Sequence, residues 1–533
     1  MAENENKPKD ENKISRRDII KGFSTVPILG VFAYDYWKKK TLEKVKNKAV
    51  QLNLGLDNEA PKIITNNDKG IGEVVKVGII GVGGRGTALL KAAGFLEKGE
   101  YEDYVKQAKN GDQGAKRRLE TYQNQSVLNI QVIGICDVFD LRAEKGIDIV
   151  SNGIQPNGES ANLKNVKRYL RYQELLADPE IDAVIIATPD FHHAHMTIDA
   201  VRAGKHVYCE KAMTLTEDEL HKVYAEVKKS GVVFQLGHQN SKNETFKKAK
   251  EIVDKNIIGK VTLIETTTNR NSRPGAWIRH LDGDGNPKPG SPETIDWGQW
   301  LGHTPKVPFS IERYYGWARF FDYDTGLAGQ LFSHEIDALN QIMGFGIPKS
   351  VVSSGGIYFY KDIPRDMPDT FNSVLEFPDR EFTMLYSATL ANSRSRGRVF
   401  MGHDASMEVG GSLKLIANGD STQYKDKIKN GIIDPSKPFY TYPESNIVDI
   451  DGITSPTEKY YAERGLIDTN VGGKNLDITH LHVKEWIDVI RNGGETGCNI
   501  EKAFDDTVSV LMVHKSYVEN RKVEWDPVKR RII

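Results

Sequence analysis

Cysteine is scarce: Cys136, Cys209 and Cys498 are the only three in 533 residues. An odd number, two of them inside apolar strand-like runs, argues for buried thiols and against a disulfide framework or a metal site. Excess charge is lacking as well, because 72 Lys and Arg stand against 73 Asp and Glu, a net charge of -1. Such a chain has no global electrostatic pull toward nucleic acid, which is set aside as a partner. Long apolar runs are missing too. The stretch from Gly22 to Tyr34, closed by Asp35 and Lys38-Lys39-Lys40, is short for a membrane span of about 20 residues, and no second stretch is longer. No internal repeat is visible.

What is present begins at the N-terminus. Ser15-Arg16-Arg17-Asp18-Ile19-Ile20-Lys21 precedes that modest apolar stretch, the form of a twin-arginine export signal. An exported, periplasmic protein is therefore expected, with residues 1–40 as signal. Val31-Phe32-Ala33 is a poor cleavage site, so an uncleaved anchor stays open. The polar segment 41–73 reads as a linker.

Val74 to Gly86, V-V-K-V-G-I-I-G-V-G-G-R-G, is the stretch on which the rest is organised. A buried parallel strand runs into Gly81, Gly83 and Gly86, spaced G-x-G-x-x-G, and then into a helix. The glycines permit a tight turn, close approach of a pyrophosphate and close helix–strand packing, so Gly81, Val82, Gly83, Gly84, Arg85 and Gly86 are expected to bind a dinucleotide. The phosphates would sit on the free N–H groups of the helix N-terminus. A charged insertion, residues 97–125, delays the second strand, whose end carries Asp137. A carboxylate there accepts hydrogen bonds from ribose hydroxyls and repels a 2′-phosphate, favouring NAD over NADP.

Residues 181–188, I-D-A-V-I-I-A-T, form the next buried strand and end in Thr188-Pro189-Asp190. A helix and the run Gly204-Lys205-His206-Val207-Tyr208-Cys209-Glu210-Lys211 follow. The glycine loop, A-T-P-D with a nearby histidine and G-K-H-V-Y-C-E-K, in that order, resemble the Gfo/Idh/MocA oxidoreductase family, whose members act mostly on sugars and cyclitols. The resemblance implies an α/β chain: a Rossmann doubly wound parallel sheet over 74–215, then an α+β domain over 216–533 with an open, mostly antiparallel sheet. It also implies closing helices that return to the first domain, and a homo-oligomer. Lys211 would lie against the nicotinamide and the reacting oxygen, with His193 as a cofactor-proximal histidine. Thr188, Pro189, Asp190, Glu210 and Gln239 complete the expected NAD contacts. Ala212 departs from the family's proline, which predicts a looser turn. The cluster His192-His193-His195 lacks a partner at a recognised zinc spacing, and no metal is expected.

In the second domain a long loop, 269–325, is dense in aromatics and arginines. Arg270, Trp277 and Tyr323 are candidates for binding a sugar ring; the aromatics could equally form the loop's own core. His334 matches the family's general base, and Asp337, one helical turn on, is expected to orient its imidazole. Gln330 stands where many members have an aspartate, which puts the strength of that base in question. Residues 417–474 read as an extended insertion or subunit-contact arm. The expectation is an NAD-dependent oxidation of a secondary carbinol of a small carbohydrate substrate by Lys211 and His334. Transient oxidation with glycoside elimination, and cofactor-bound carbohydrate binding without catalysis, are the alternatives.

Overall fold

The computed structural model describes residues 27–56, 72–443, 468–471 and 473–533. Arg16 and Arg17, on which the export reading rests, lie outside the described residues. Pro27–Asn53 form one helix that runs across the expected boundary between signal and linker.

The first sheet is parallel, with strand order β3-β2-β1-β4-β5-β6. Its strands are β1 (Val75–Ile80), β2 (Ile130–Cys136), β3 (Lys167–Tyr169), β4 (Ala183–Ile186), β5 (His206–Cys209) and β6 (Phe234–Leu236). The sequence order reverses between β1 and β4, and there the strand ends open a crevice in which ligands of such sheets bind. β1 and β4 are short runs of Val, Ile and small residues because both their faces are covered. The sheet takes in the helix Glu217–Ser230 and β6, residues beyond the expected boundary at 215. Thr216 and Glu219 cap that helix reciprocally, and β6 then pairs with β5.

Among the described residues the second sheet has ten strands: β7 (Val261–Thr267), β8 (Ser350–Gly356), β9 (Thr370–Phe377), β10 (Phe382–Thr389), β11 (Arg398–Gly402), β12 (Ala405–Val409), β13 (Leu413–Ala417), β14 (Pro438–Tyr442), β17 (Val523–Asp526) and β18 (Arg531–Ile532), while β15 (Asp468–Val471) and β16 (Lys474–Asp477) pair apart from it. Their order is β14-β13-β12-β11-β7-β10-β9-β8-β17-β18, antiparallel except where β10 runs beside β7. β9 and β10 alternate buried and accessible residues, so one face is packed and the other open. Against the packed face lie the helices Ser333–Met343 and Ile500–Val518. The helix Ile478–Asn492 returns to the first domain: Val483, Trp486 and Ile487 share a core with Val77 and Ile79 of β1.

The charged insertion at 97–125 folds as two helices, Lys98–Lys109 and Gln113–Gln123. It meets the described end of the later insertion, where Arg117 pairs with Asp468 at 2.7 Å. Among the described residues no helix is long and apolar enough to cross a membrane.

Candidate active site

A cavity of about 1270 Å³ opens at the carboxyl ends of β1, β2 and β4 and continues under the second sheet. Its first wall is the glycine loop. Gly81 has φ +89°, and a Cβ there would lie 2.8 Å from the carbonyl oxygen of Ala187; one on Gly86 would lie 2.2 Å from that of Gly81. Nothing stands within 4 Å of where a Cβ on Gly84 would be, so the first turn of the helix Gly84–Ala92 faces open space. That cradle fits a pyrophosphate on backbone N–H groups.

Asp137 ends β2, at the cavity wall, as its place in the sequence predicted. Its carboxylate accepts from Val82 N at 2.6 Å and from Phe139 N at 2.9 Å, which ties the loop to the strand end. Burial raises its pKa, opposed by Arg142 and these two amides. Arg142 lies along the same wall.

Glu210 and Lys211 follow β5. Arg85 Nε donates to Glu210 Oε1 at 2.7 Å, and Gln239 Nε2 donates to the same oxygen at 3.2 Å. The acid thus holds the glycine loop and the turn after β6 together. Lys211 Nζ donates to Gln330 Oε1 at 3.0 Å, and Gln330 Nε2 donates to Asp190 Oδ2 at 2.9 Å. Ala212 N donates to that Asp190 oxygen at 3.0 Å, a bond that a proline could not make. The turn expected to be looser is therefore hydrogen-bonded in place.

Gln330 also does not leave the site without an acid. Asp324, fully buried, lies beside Asp190; burial, then the charge of Asp190, raises its pKa well above the carboxylate range, and burial raises that of Asp190. Two like charges in one buried place oppose each other's ionisation, so the pair favours retention of a proton while Lys211 faces Asp190. Nothing in the local sequence of Asp324 advertised this; only the return of the 269–325 loop brings it there.

A π-helical turn, Ala328–Phe332, leads into the helix Ser333–Met343 and places Gln330 and His334 on the cavity. That helix is fixed from behind by a buried ion pair, Arg398 Nε to Glu335 Oε2 at 2.8 Å and Nη2 to Oε1 at 3.0 Å. Burial first, then Lys211 and other nearby cations, hold His334 well below the usual imidazole range, so its ring is neutral and able to accept a proton.

Three expected residues are corrected. Asp337 does not orient His334: it is buried on another side of the helix, 3.7 Å from His238 Nδ1, and takes a hydrogen bond from Gln341 at 2.7 Å. His193 does not line the cavity; its ring nitrogens lie 2.6 Å from Ala212 O and 2.9 Å from Thr188 O, clamping two turns together. Tyr323 is fully buried, packed at 5.1 Å from Phe191 and 5.0 Å from Trp300 in the loop's own core. Val82 and Gly86 likewise stand behind the lining and act through the loop's shape. Thr188, Pro189, Asp190, Gln239, Arg270 and Trp277 all line the cavity.

The sequence reading missed other lining residues. Asp477 and Thr479 come from the N-terminus of the closing helix, and His303 from the long loop. That loop docks on the first domain: Asp140 N donates to Thr294 O at 3.0 Å and Asp296 N to Val138 O at 2.8 Å. It covers the cavity beside Asp137.

With this geometry in view the comparisons decide the kind of domain. Residues 75–238 match the Gfo/Idh/MocA family, described as an oxidoreductase family with an NAD-binding Rossmann fold. The chain is 36% identical over 111 residues to a scyllo-inositol 2-dehydrogenase (NAD(+)) of Bacillus subtilis, covering 21% of this chain and 32% of that protein. It is 32% identical over 108 residues to a myo-inositol 2-dehydrogenase of Thermotoga maritima, covering 20% of this chain and 32% of the relative. The aligned part spans about a third of the length of these curated relatives. Over the whole fold, a levoglucosan dehydrogenase in complex with NADH and levoglucosan superposes with a TM-score of 0.54 at 17% identity, covering 85% of this chain and 99% of that one. That likeness shows that the two-domain architecture is shared.

Proposed function

We propose that the chain is an NAD-dependent oxidoreductase acting on a secondary hydroxyl of a sugar, cyclitol or glycoside. One observation carries the reading: Lys211 and His334 line the same cavity as the dinucleotide cradle. Bound NAD would supply a hydride acceptor at its nicotinamide ring. His334, neutral and half-buried on the cavity wall, takes the hydroxyl proton. Lys211, held by Gln330 and facing Asp190, stabilises the negative charge that grows on the same oxygen. Arg270 offers donors to the remaining hydroxyls. The inositol dehydrogenases that match part of the chain support a polyol substrate.

The long loop favours a second form of the reaction. Because it is hydrogen-bonded over the β2 end, it would retain the cofactor, which suits transient oxidation, elimination of a glycosidic substituent and return of the hydride. Denaturing the purified protein and identifying released nucleotide and sugar by mass spectrometry tests the cofactor. Following NADH with a panel of polyols and glycosides separates the two forms: accumulation indicates net oxidation, and cleavage without accumulation indicates the closed cycle. Protein that carries no nucleotide and binds NAD no better than NADP contradicts the reading.

A further inference from the structure

Directly behind His334 lies a cluster that the reaction above does not use. His238 follows β6, Asp337 stands on the helix of His334, and Cys498 and Asp506 come from the start of the helix Ile500–Val518 and the turn before it. All four are at most 3% exposed, and one ligand atom from each falls within 4.8 Å of all the others. From His238 Nδ1 the distances are 3.4 Å to Asp506 Oδ2, 3.7 Å to Asp337 Oδ1 and 3.7 Å to Cys498 Sγ.

These separations are long for direct N–H···O bonds, whose usual length is about 2.9–3.0 Å. They suit ligands of one ion: tetrahedral zinc bonds of about 2.0 Å to N and O and about 2.3 Å to S set neighbouring ligand atoms about 3.3–3.6 Å apart. A second observation points the same way. Asp337 Oδ2 is buried with no hydrogen-bond partner among the described residues, an arrangement that is costly in a packed interior. Outer bonds are furnished as well: Asn340 donates at 3.3 Å to Asp506 Oδ1, the oxygen other than the one nearest His238 Nδ1, and Gln341 holds Asp337 by donating to its Oδ1 at 2.7 Å. Such bonds orient first ligands.

We propose that His238, Asp337, Cys498 and Asp506 form a buried, closed site for one divalent zinc-type cation. The mixed N, S and two-O set matches a borderline ion and disfavours magnesium or calcium, which take oxygen ligands alone. With four protein ligands and no access to the cavity the ion has no open position, so its part is to position rather than to polarise substrate. It joins the end of β6, the helix of His334 and the closing helix at one point. His238 and His334 have ring centroids 6.0 Å apart, so what fixes one fixes the surroundings of the other. The ligands were invisible to spacing rules because His238 and Cys498 are 260 residues apart.

The test is metal analysis of full-length protein purified without chelator, beside Cys498→Ser, Asp506→Asn and the double variant. The expected result is about one zinc per chain in the wild type and at least about tenfold weaker retention against a chelator in each variant. Refolding the wild type with Co²⁺ should give a near-ultraviolet thiolate-to-cobalt band, which reports the Cys498 bond even if a variant does not fold. Wild-type protein that carries no metal and takes up neither Zn²⁺ nor Co²⁺ overturns the proposal. So does a full equivalent retained in a folded double variant, or cobalt bound without the thiolate band.

Discussion

At the scale of single residues, two carboxylates carry the cofactor and proton economy of the site. Asp137 has both oxygens on backbone amides of the glycine loop and its own turn. Its substitution by alanine should weaken NAD by roughly tenfold, the effect of about 1–2 kcal/mol from a lost hydrogen bond. The gap to NADP should narrow, because the charge that repels a 2′-phosphate is gone. Titration of both nucleotides by calorimetry checks this, and an unchanged preference removes Asp137 from the assignment. Asp324 gives a pH-dependent prediction. Its folded pKa is raised well above the ordinary carboxylate value, by burial and by Asp190. The folded state therefore binds a proton that the unfolded state has released, so this group's contribution is fully present below the unfolded pKa of about 3.9 and lost as pH rises. Asp324→Asn, neutral at every pH, should gain stability relative to wild type between pH 4.5 and pH 8. Urea midpoints at the two pH values measure the gain; an equal difference at both would mean that Asp324 carries no buried proton.

At the scale of elements, the helix Ser333–Met343 matters most, because it presents His334 on one side and is anchored on the other by Glu335 and Arg398, each 1% exposed. Glu335→Gln leaves a buried guanidinium without its counter-charge and should destabilise the fold by about 3–5 kcal/mol. Denaturant unfolding of Glu335→Gln beside Glu335→Leu with Arg398→Met tests it: the double variant should recover most of the loss. A loss confined to the double variant would contradict the pairing. This helix also shows what could be read from sequence. The strand, glycines and helix of residues 74–92 declare themselves locally, because turn chemistry and burial on both faces constrain neighbouring residues. His334 was legible through its family motif. Asp337 was not, because an i,i+3 spacing puts two residues near each other without saying which neighbour each side chain meets, and here Asp337 meets His238. Tyr323 failed for a related reason: an aromatic loop long enough to fold on itself builds a core of its own around Phe191 and Trp300. Asp324 and the His238 cluster depend on contacts between distant segments, and no local pattern encodes them.

At the scale of the whole molecule, the loop over the cavity and the proposed export belong together. Under that proposal cofactor would be loaded in the cytoplasm and carried out with the folded protein by the twin-arginine route, and a loop hydrogen-bonded across the β2 end would keep the nucleotide in place. On this reading Arg16→Lys with Arg17→Lys should retain the folded, NAD-loaded protein in the cytoplasm. Fractionation followed by nucleotide analysis checks it, and unchanged location in the double variant would sink the export proposal. Oxidation itself is tested most directly by single-turnover reduction of bound nicotinamide, followed optically after mixing with a polyol or glycoside panel. The wild type should reduce its cofactor with at least one substrate, and Lys211→Met and His334→Ala should each slow that step by about a hundredfold or more while keeping NAD bound. Near-normal reduction in either variant would contradict the assignment of charge stabilisation to Lys211 and proton removal to His334.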